Sequence, residues 1–187
     1  MNKGEQMDQS IVELNKAMNN TLALNTINLP KIIITNEINA YGKYLIPLDI
    51  IALNNEMLLN RYWAQITLVH EIIHSTGRFN RLNRITLNKL KEEVDVLHEE
   101  ILAHAGALIL LYDWLPQDKK INQYYLIKRD TRKLLKILNN EIQFYLEDYL
   151  LQDLTDVCKY LCTDVNKETL NKVCQVIKGI QYESIQN

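Results

Sequence analysis

His70-Glu71-Ile72-Ile73-His74 is the stretch on which the reading of this chain turns. On a helix, positions i and i+4 lie one turn apart on the same face, so His70 and His74 can grip a single metal ion. Glu71 is rotated about 100° from His70. That sets its carboxylate beside the open position of the ion, where it can take a proton from water. The spacing is that of a zinc-dependent hydrolase, and it requires at least one more protein ligand from elsewhere. The bland alternative is a helix whose two half-buried histidines hydrogen-bond locally. Context favours the metal: all four histidines, His70, His74, His98 and His104, fall within residues 70–104. Residues 61–69 are helical in character, with Ile66, Val69 and Ile73 in an apolar stripe. Gly77 stands where a helix C′ residue belongs.

Composition bounds the remaining choices. A chain of 187 residues that is 47% hydrophobic and 24% charged is expected to form one globular domain. Its net charge of −2 gives no support to a general nucleic-acid or membrane-surface role. No apolar run approaches transmembrane length, and residues 1–10 lack the apolar core of a signal peptide. The three cysteines, Cys158, Cys162 and Cys174, form no CxxC pair and suit a reducing compartment. Cys158 and Cys162 are one helical turn apart, but with no histidine nearby they are read as buried thiols.

Periodicity predicts a helix-dominated α+β fold. The single domain reads as an N-terminal helix (1–28), a sheet and metal-site core (29–116) and a helical tail (117–187). Residues 5–24 carry Ile11, Leu14, Met18 and Leu22 on one helical face. Strands are expected over residues 31–35, 38–41, 44–46 and 49–53, with Tyr41-Gly42-Lys43-Tyr44 and Asn36-Glu37 as turns. Asn54-Asn55 are read as the cap of the motif helix. A second helix spans about 87–115 and is stopped by Pro116. Beyond it, Leu134, Leu138, Ile142, Tyr145 and Tyr149 form one stripe. Leu146, Leu150, Leu154, Val157 and Leu161 form another. The prediction is one very long helix or two abutting ones, a break near Thr163-Asp164, and a last helix to Ile177.

Residue type narrows the third ligand. A metzincin-like extension HExxHxxGxxH fits through Gly77 but meets Asn80 where a third histidine is needed, and no Met follows Met57 to lie beneath the metal. A gluzincin-like arrangement takes a Glu from the next helix. Leu97-His98-Glu99-Glu100-Ile101-Leu102-Ala103-His104 supplies Glu100, with Glu99 as the fallback if the helix is rotated. Ala103, Gly106 and Ala107 make a small-residue ridge that lets this helix approach the motif helix. His104 shares the face of Glu100 and is an outer-shell partner, the third ligand itself, or a hydrogen-bonded core histidine. His98 points elsewhere and is read as a surface residue.

The run Thr67-Leu-Val-His-Glu-Ile-Ile-His-Ser-Thr-Gly-Arg-Phe-Asn-Arg-Leu-Asn-Arg84 resembles the metallopeptidase domain of ArdC-type antirestriction proteins and of phage and plasmid polyvalent proteins. In that family HE(L/I)xHxTG is followed by an Arg-Leu-Asn-Arg-like sequence and a Glu-Glu-Leu-x-Ala-Glu helix. This chain has Arg81-Leu-Asn-Arg84 and Glu99-Glu-Ile-Leu-Ala-His104. Ala40-Tyr41 and Asp49-Ile50-Ile51 resemble the family's strands ahead of the motif. The resemblance covers residues 38–115 well and 121–150 more loosely. It implies a zincin-like fold: a small twisted sheet on the motif helix, with an edge strand beside the cleft. Residues 49–53 are the candidate for that strand, to which an extended peptide can pair. Two departures stand out. The family's closing Glu is His104 here, and residues 1–28 leave no room for the single-stranded-DNA-binding domain that precedes the peptidase domain in ArdC.

The expected activity is zinc-dependent peptide hydrolysis, with His70, His74 and Glu100 holding Zn2+ and Glu71 as general base. Tyr41, Tyr44, Arg78 and His104 are candidate transition-state stabilisers. The resemblance implies a mobile-element or phage protein in a bacterial cytoplasm, acting on a protein or peptide, such as a host defence or regulatory protein. Two rivals remain. One is a non-catalytic anti-defence binding protein on the same scaffold, separated by whether Glu71 is needed. The other is a nucleic-acid module built on Arg78, Arg81, Arg84, Lys89 and Lys91, which the net acidic charge argues against.

Overall fold

The computed structural model describes residues 29–76, 91–138 and 149–185. The expected N-terminal helix, Gly77, Arg78 and the arginines that follow it, and Ile142, Tyr145 and Leu146 lie outside the described residues. Three short strands open the fold: β1 (Lys31–Thr35), β2 (Gly42–Leu45) and β3 (Ile50–Asn54). Among the described residues five α-helices follow: α1 (Arg61–Ser75), α2 (Lys91–Leu111), α3 (Gln117–Leu138), α4 (Leu151–Leu161) and α5 (Lys167–Ile185). The protein is therefore helix-dominated α+β with a small mixed sheet. Among the described residues no helix is long and apolar enough to cross a membrane.

The sheet order is β1-β3-β2. β1 runs parallel to β3 with Ile32 opposite Ile51, and β2 runs antiparallel to it with Tyr44 opposite Ile51. Residues 49–53 were expected at the edge, yet β3 is the central strand. Its consecutive Ile51, Ala52 and Leu53 are all buried, the pattern of a strand covered on both faces. The strand at the cleft edge is β2, whose exposed Lys43 suits an edge position. Gly42-Lys43-Tyr44 is accordingly strand rather than turn, Tyr41 is a bend before it, and residues 38–41, expected as a strand, form none. The reversal comes later, where Ile46–Leu48 form a 3-10 turn closed by Asp49 in the left-handed region at φ 50. Aspartate tolerates that conformation better than most residues.

α1 is capped by Asn60, not by Asn54 or Asn55: the Asn60 side chain accepts from the backbone N–H groups of Tyr62 and Trp63. Asn54 instead ends β3, and a 3-10 turn over Asn55–Leu59 intervenes. α1 buries Ala64, Ile66, Leu68, Val69, Ile72 and Ile73, so it is packed around most of its circumference. α2 lies close against it at Gly106. A Cβ on Gly106 would stand 2.6 Å from Ile73 Cδ1.

Pro116 does not end α2 directly. The helix stops at Leu111, a 3-10 turn covers Tyr112–Trp114, and the Pro116 carbonyl accepts from Lys119 and Lys120 at the start of α3. α3 is amphipathic, burying Ile127, Leu134, Leu135 and Leu138 against α2 and α5. α4 packs on α2, and α5 continues past Ile177 to Ile185. Residues 117–138 were expected as the start of a tail, but α3 forms one wall of the functional cleft described below.

His98 corrects the reading made from its wheel position. It is fully buried, with Nε2 3.0 Å from Asp153 Oδ2 on α4, and both side chains are 0% exposed. The face of α2 turned away from the motif helix is covered by α4, so it is no surface. Cys158 and Cys162 are buried free thiols, and burial pushes the Cys158 thiol far up.

Candidate metal centre

α1 and α2 carry the site between them. The i, i+4 spacing on α1 brings His70 Nε2 and His74 Nε2 to 3.0 Å, with the rings edge to face. Across the helix interface Glu100 faces both: Oε2 lies 3.5 Å from His70 Nε2 and Oε1 lies 3.5 Å from His74 Nε2. His104, one turn further along α2, adds Nε2 at 3.6 Å from Glu100 Oε2, its ring 4.6 Å from that of His70. His70, Glu100 and His104, all half-buried, can hold a metal ion, their ligand atoms lying within 4.8 Å of one another. The set His70, His74 and Glu100 is tighter still. Ligands at about 2.0–2.1 Å from a tetrahedral ion stand about 3.3–3.4 Å apart, and this set shows 3.0, 3.5 and 3.5 Å. The donor types and their spacing are compatible with a bound metal ion.

Glu71 is buried beside this cluster. Its Oε2 accepts from the backbone N–H of Tyr44 on β2 at 2.8 Å. Burial raises its pKa, and this outweighs the charges of His70 and His74 and the Tyr44 N–H, which act the other way. Burial also works against ionised Glu100, but its contacts with His70 and His74 win and hold it well below the usual carboxylate range. The partner effect is seen at His74, where Glu100 overrides burial and raises the imidazole above its ordinary value. For His104, burial and the charge of His70 act together and lower it to about 4.

The cleft over these residues has a volume of about 810 Å3. Tyr41, Gly42, Lys43 and Tyr44 line one side, α1 and α2 the floor, and Asn122, Gln123, Leu126 and Arg129 of α3 the other. Tyr41 is at the mouth and 65% exposed. The Tyr44 hydroxyl donates to Asp49 Oδ1 at 2.9 Å, so its hydrogen is directed there. Glu99 lines the cleft as well, and its charge adds to the effect of Glu100 on His74. Arg78 lies outside the described residues.

Sequence reasoning missed Asp130. It is 2% exposed, with Oδ2 3.7 Å from His104 Nε2, and the Arg129 guanidinium holds it through two bonds of 2.8 Å. The available signal was an acid on an apolar helical face, at i+3 from Ile127 and i−4 from Leu134. Gln123, buried on the same helix, was missed too, and no sequence pattern marks it. No family model, curated protein or solved structure matches this chain.

Proposed function

We propose that this protein is a zinc-dependent metallopeptidase with a zincin-like fold, in which His70, His74 and Glu100 hold the ion and Glu71 is the general base. The observation that carries the reading is the convergence of these three donors at 3.0–3.5 Å, with a buried Glu71 beside them. When bound there, zinc supplies a water of lowered pKa and polarises a carbonyl.

The chain's own groups do the rest. Glu71 keeps Oε2 on the Tyr44 N–H, so its carboxylate is aimed while Oε1 takes and hands on the proton. Burial raises its proton affinity above that of an ordinary carboxylate, the direction a general base requires. His104 acts through Glu100. A proton on its Nδ1 would be a buried donor without a partner, whereas one on Nε2 faces the carboxylates of Glu100 and Asp130. His104 is thus an outer-shell donor that orients Glu100, anchored by Asp130 and Arg129. The outer edge of β2 offers main-chain groups to an extended peptide. The substrate is a protein in a bacterial cytoplasm, a host defence or regulatory protein on the resemblance to antirestriction peptidases.

The test compares wild type with Glu71→Gln. The variant keeps zinc at one per chain and keeps its fold, but hydrolyses no peptide from a mixed peptide pool that wild type cleaves. Wild-type cleavage that survives in Glu71→Gln would refute the mechanism. An unchanged cellular effect of that variant would favour the binding-only alternative.

A further inference from the structure

α3 was expected to belong to a helical tail, yet Asn122, Leu126 and Arg129 line the cleft, and their i, i+4, i+7 spacing is that of a single helical face. Lys43 and Arg129 are the cleft-lining residues with a fixed positive charge. Of the two, Arg129 is held in place. Its Nε donates to Asp130 Oδ1 and its Nη2 to Asp130 Oδ2, each at 2.8 Å, while its side chain stays 42% exposed. A guanidinium carries five N–H donors, and this contact uses only the fork formed by Nε and Nη2. The edge formed by Nη1 and the second Nη2 hydrogen is left for another acceptor. Nor does Asp130 neutralise the cations around it: Lys133 Nζ also lies 3.7 Å from its Oδ1, so one carboxylate faces two of them.

We propose that Arg129 is a substrate-binding residue that receives a carboxylate of the peptide. The carboxylate, an acidic side chain or a free C-terminus, accepts from the Nη1 and Nη2 edge while Asp130 keeps the other fork and fixes the plane of the guanidinium. Glu71, Glu99 and Glu100 line the same cleft, so a carboxylate placed away from the cations is repelled and the selection is positional. Steps of 2.8, 3.7 and 3.6 Å lead from Arg129 Nη2 through Asp130 Oδ2 and His104 Nε2 to Glu100 Oε2. At about 3.3 Å per extended residue, the carboxylate falls within about four residues of the scissile bond. The inference rests on the peptidase reading for its ligand class, but not on turnover.

The experiment uses full-length, zinc-loaded Glu71→Gln protein as a trap for two degenerate libraries of N-acetylated octapeptides, one C-amidated and one with a free C-terminus. Retained peptides are identified by mass spectrometry. Enrichment of Asp or Glu in the amidated library identifies an acidic side chain as the ligand, and retention confined to the other library identifies the C-terminus. Adding Arg129→Gln, compared at equal zinc content, weakens the best-retained peptide about fivefold to tenfold, between the worth of an exposed ion pair and that of a hydrogen bond to a charged group. Arg129→Lys keeps a cation beside Asp130 but has no second fork, so it holds the melting temperature and still weakens the peptide. Three results each overturn the proposal: retained peptides with no preference for a carboxylate, an affinity that neither Arg129 substitution changes, or libraries from which nothing is retained. The peptidase reading fails separately, by wild-type protein leaving uncleaved the peptides that Glu71→Gln retains.

Discussion

Substituting Gly42 by alanine probes how the sheet aims Glu71, the proposed general base. Among the described residues no glycine has a positive φ, so Gly42 is required for space and not for backbone freedom. An alanine Cβ would stand 2.5 Å from Thr67 Cγ2, 3.0 Å from Glu71 Cγ and 3.1 Å from Glu71 Oε1. Carbon atoms pack comfortably at about 3.5–4.0 Å, so β2 must retreat by about 1 Å or Glu71 must swing aside. Thr67 cannot yield easily, being buried on a helix and stiff at χ1. Either adjustment breaks the 2.8 Å bond from the Tyr44 N–H to Glu71. Overpacking of this kind costs about 1–3 kcal/mol, and at about 2–4 °C per kcal/mol for a chain of this size the melting temperature falls by about 2–12 °C. Zinc content is unchanged, because its ligands sit on α1 and α2. Hydrolysis falls about a hundredfold, the scale on which a 1 Å misplacement acts. Thr67→Ser deletes the obstructing methyl and keeps the hydroxyl, so the double variant recovers activity, with a coupling above about 0.5 kcal/mol in the double-mutant cycle. A Gly42→Ala protein that melts and turns over like wild type, or a cycle without coupling, would refute the reasoning.

Three further outcomes are expected. His70→Ala and His74→Ala each abolish zinc binding in metal analysis and calorimetry, and Glu100→Ala weakens it strongly. His104→Ala weakens it by about 10–100-fold, as loss of an outer-shell group does, and a larger loss than Glu100→Ala causes would make His104 the third ligand. Zinc should stabilise the protein more as pH rises. His74 has a raised folded pKa, so the stability it gives the metal-free protein is full below 6.5 and is lost as pH climbs through that pKa, while the metal needs it deprotonated. The melting-temperature gap between zinc-loaded and chelator-treated protein should therefore widen upward from pH 6.5, and a gap that narrows would sink the argument. Asp153→Ala removes the 3.0 Å contact to the buried His98 and should cost about 1–3 kcal/mol, the scale of a lost buried hydrogen bond, read in a denaturant melt, whereas Asp153→Asn keeps an acceptor and should cost less.

How much was legible follows from the range of each signal. The motif helix, the Glu100 helix and their small-residue contact were readable because all rest on i, i+3 and i+4 spacing, and Gly106 against Ile73 is the physical form of that ridge. His98 was misread because its wheel position shows only that it turns away from Glu100. Its partner Asp153 lies 55 residues away, beyond any local pattern. The clue was Asp153 itself, an acid set among Leu150, Leu154 and Val157 on one apolar face. The sheet order was misread for a related reason: a four-residue strand such as Gly42–Leu45 carries little periodicity, and its glycine mimicked a turn. Gln123 shows no pattern of its own, since a glutamine on a polar-rich helix looks solvated until the neighbouring wall is known.

The electrostatics of the metal-free site explain how two helices keep ligands so near one another. Two imidazole nitrogens at 3.0 Å would repel if both histidines were charged, and their lone pairs would oppose if neither carried a proton between them. Glu100 stays ionised far below the usual carboxylate range and raises the proton affinity of His74, an attraction that draws the side chains of the two helices together. The demand falls on the helix interface: whatever separates α1 from α2 at Gly106 and Ile73 also separates Glu100 from His70 and His74. A Gly106 side chain would meet only the far end of Ile73, which can rotate, whereas at Gly42 the obstacle is a short branched side chain on a buried helix. Of the two close approaches at Gly42 and Gly106, the one behind Glu71 is therefore the less forgiving, and the aim of the proposed general base is more sensitive to packing than the proposed metal ligands are.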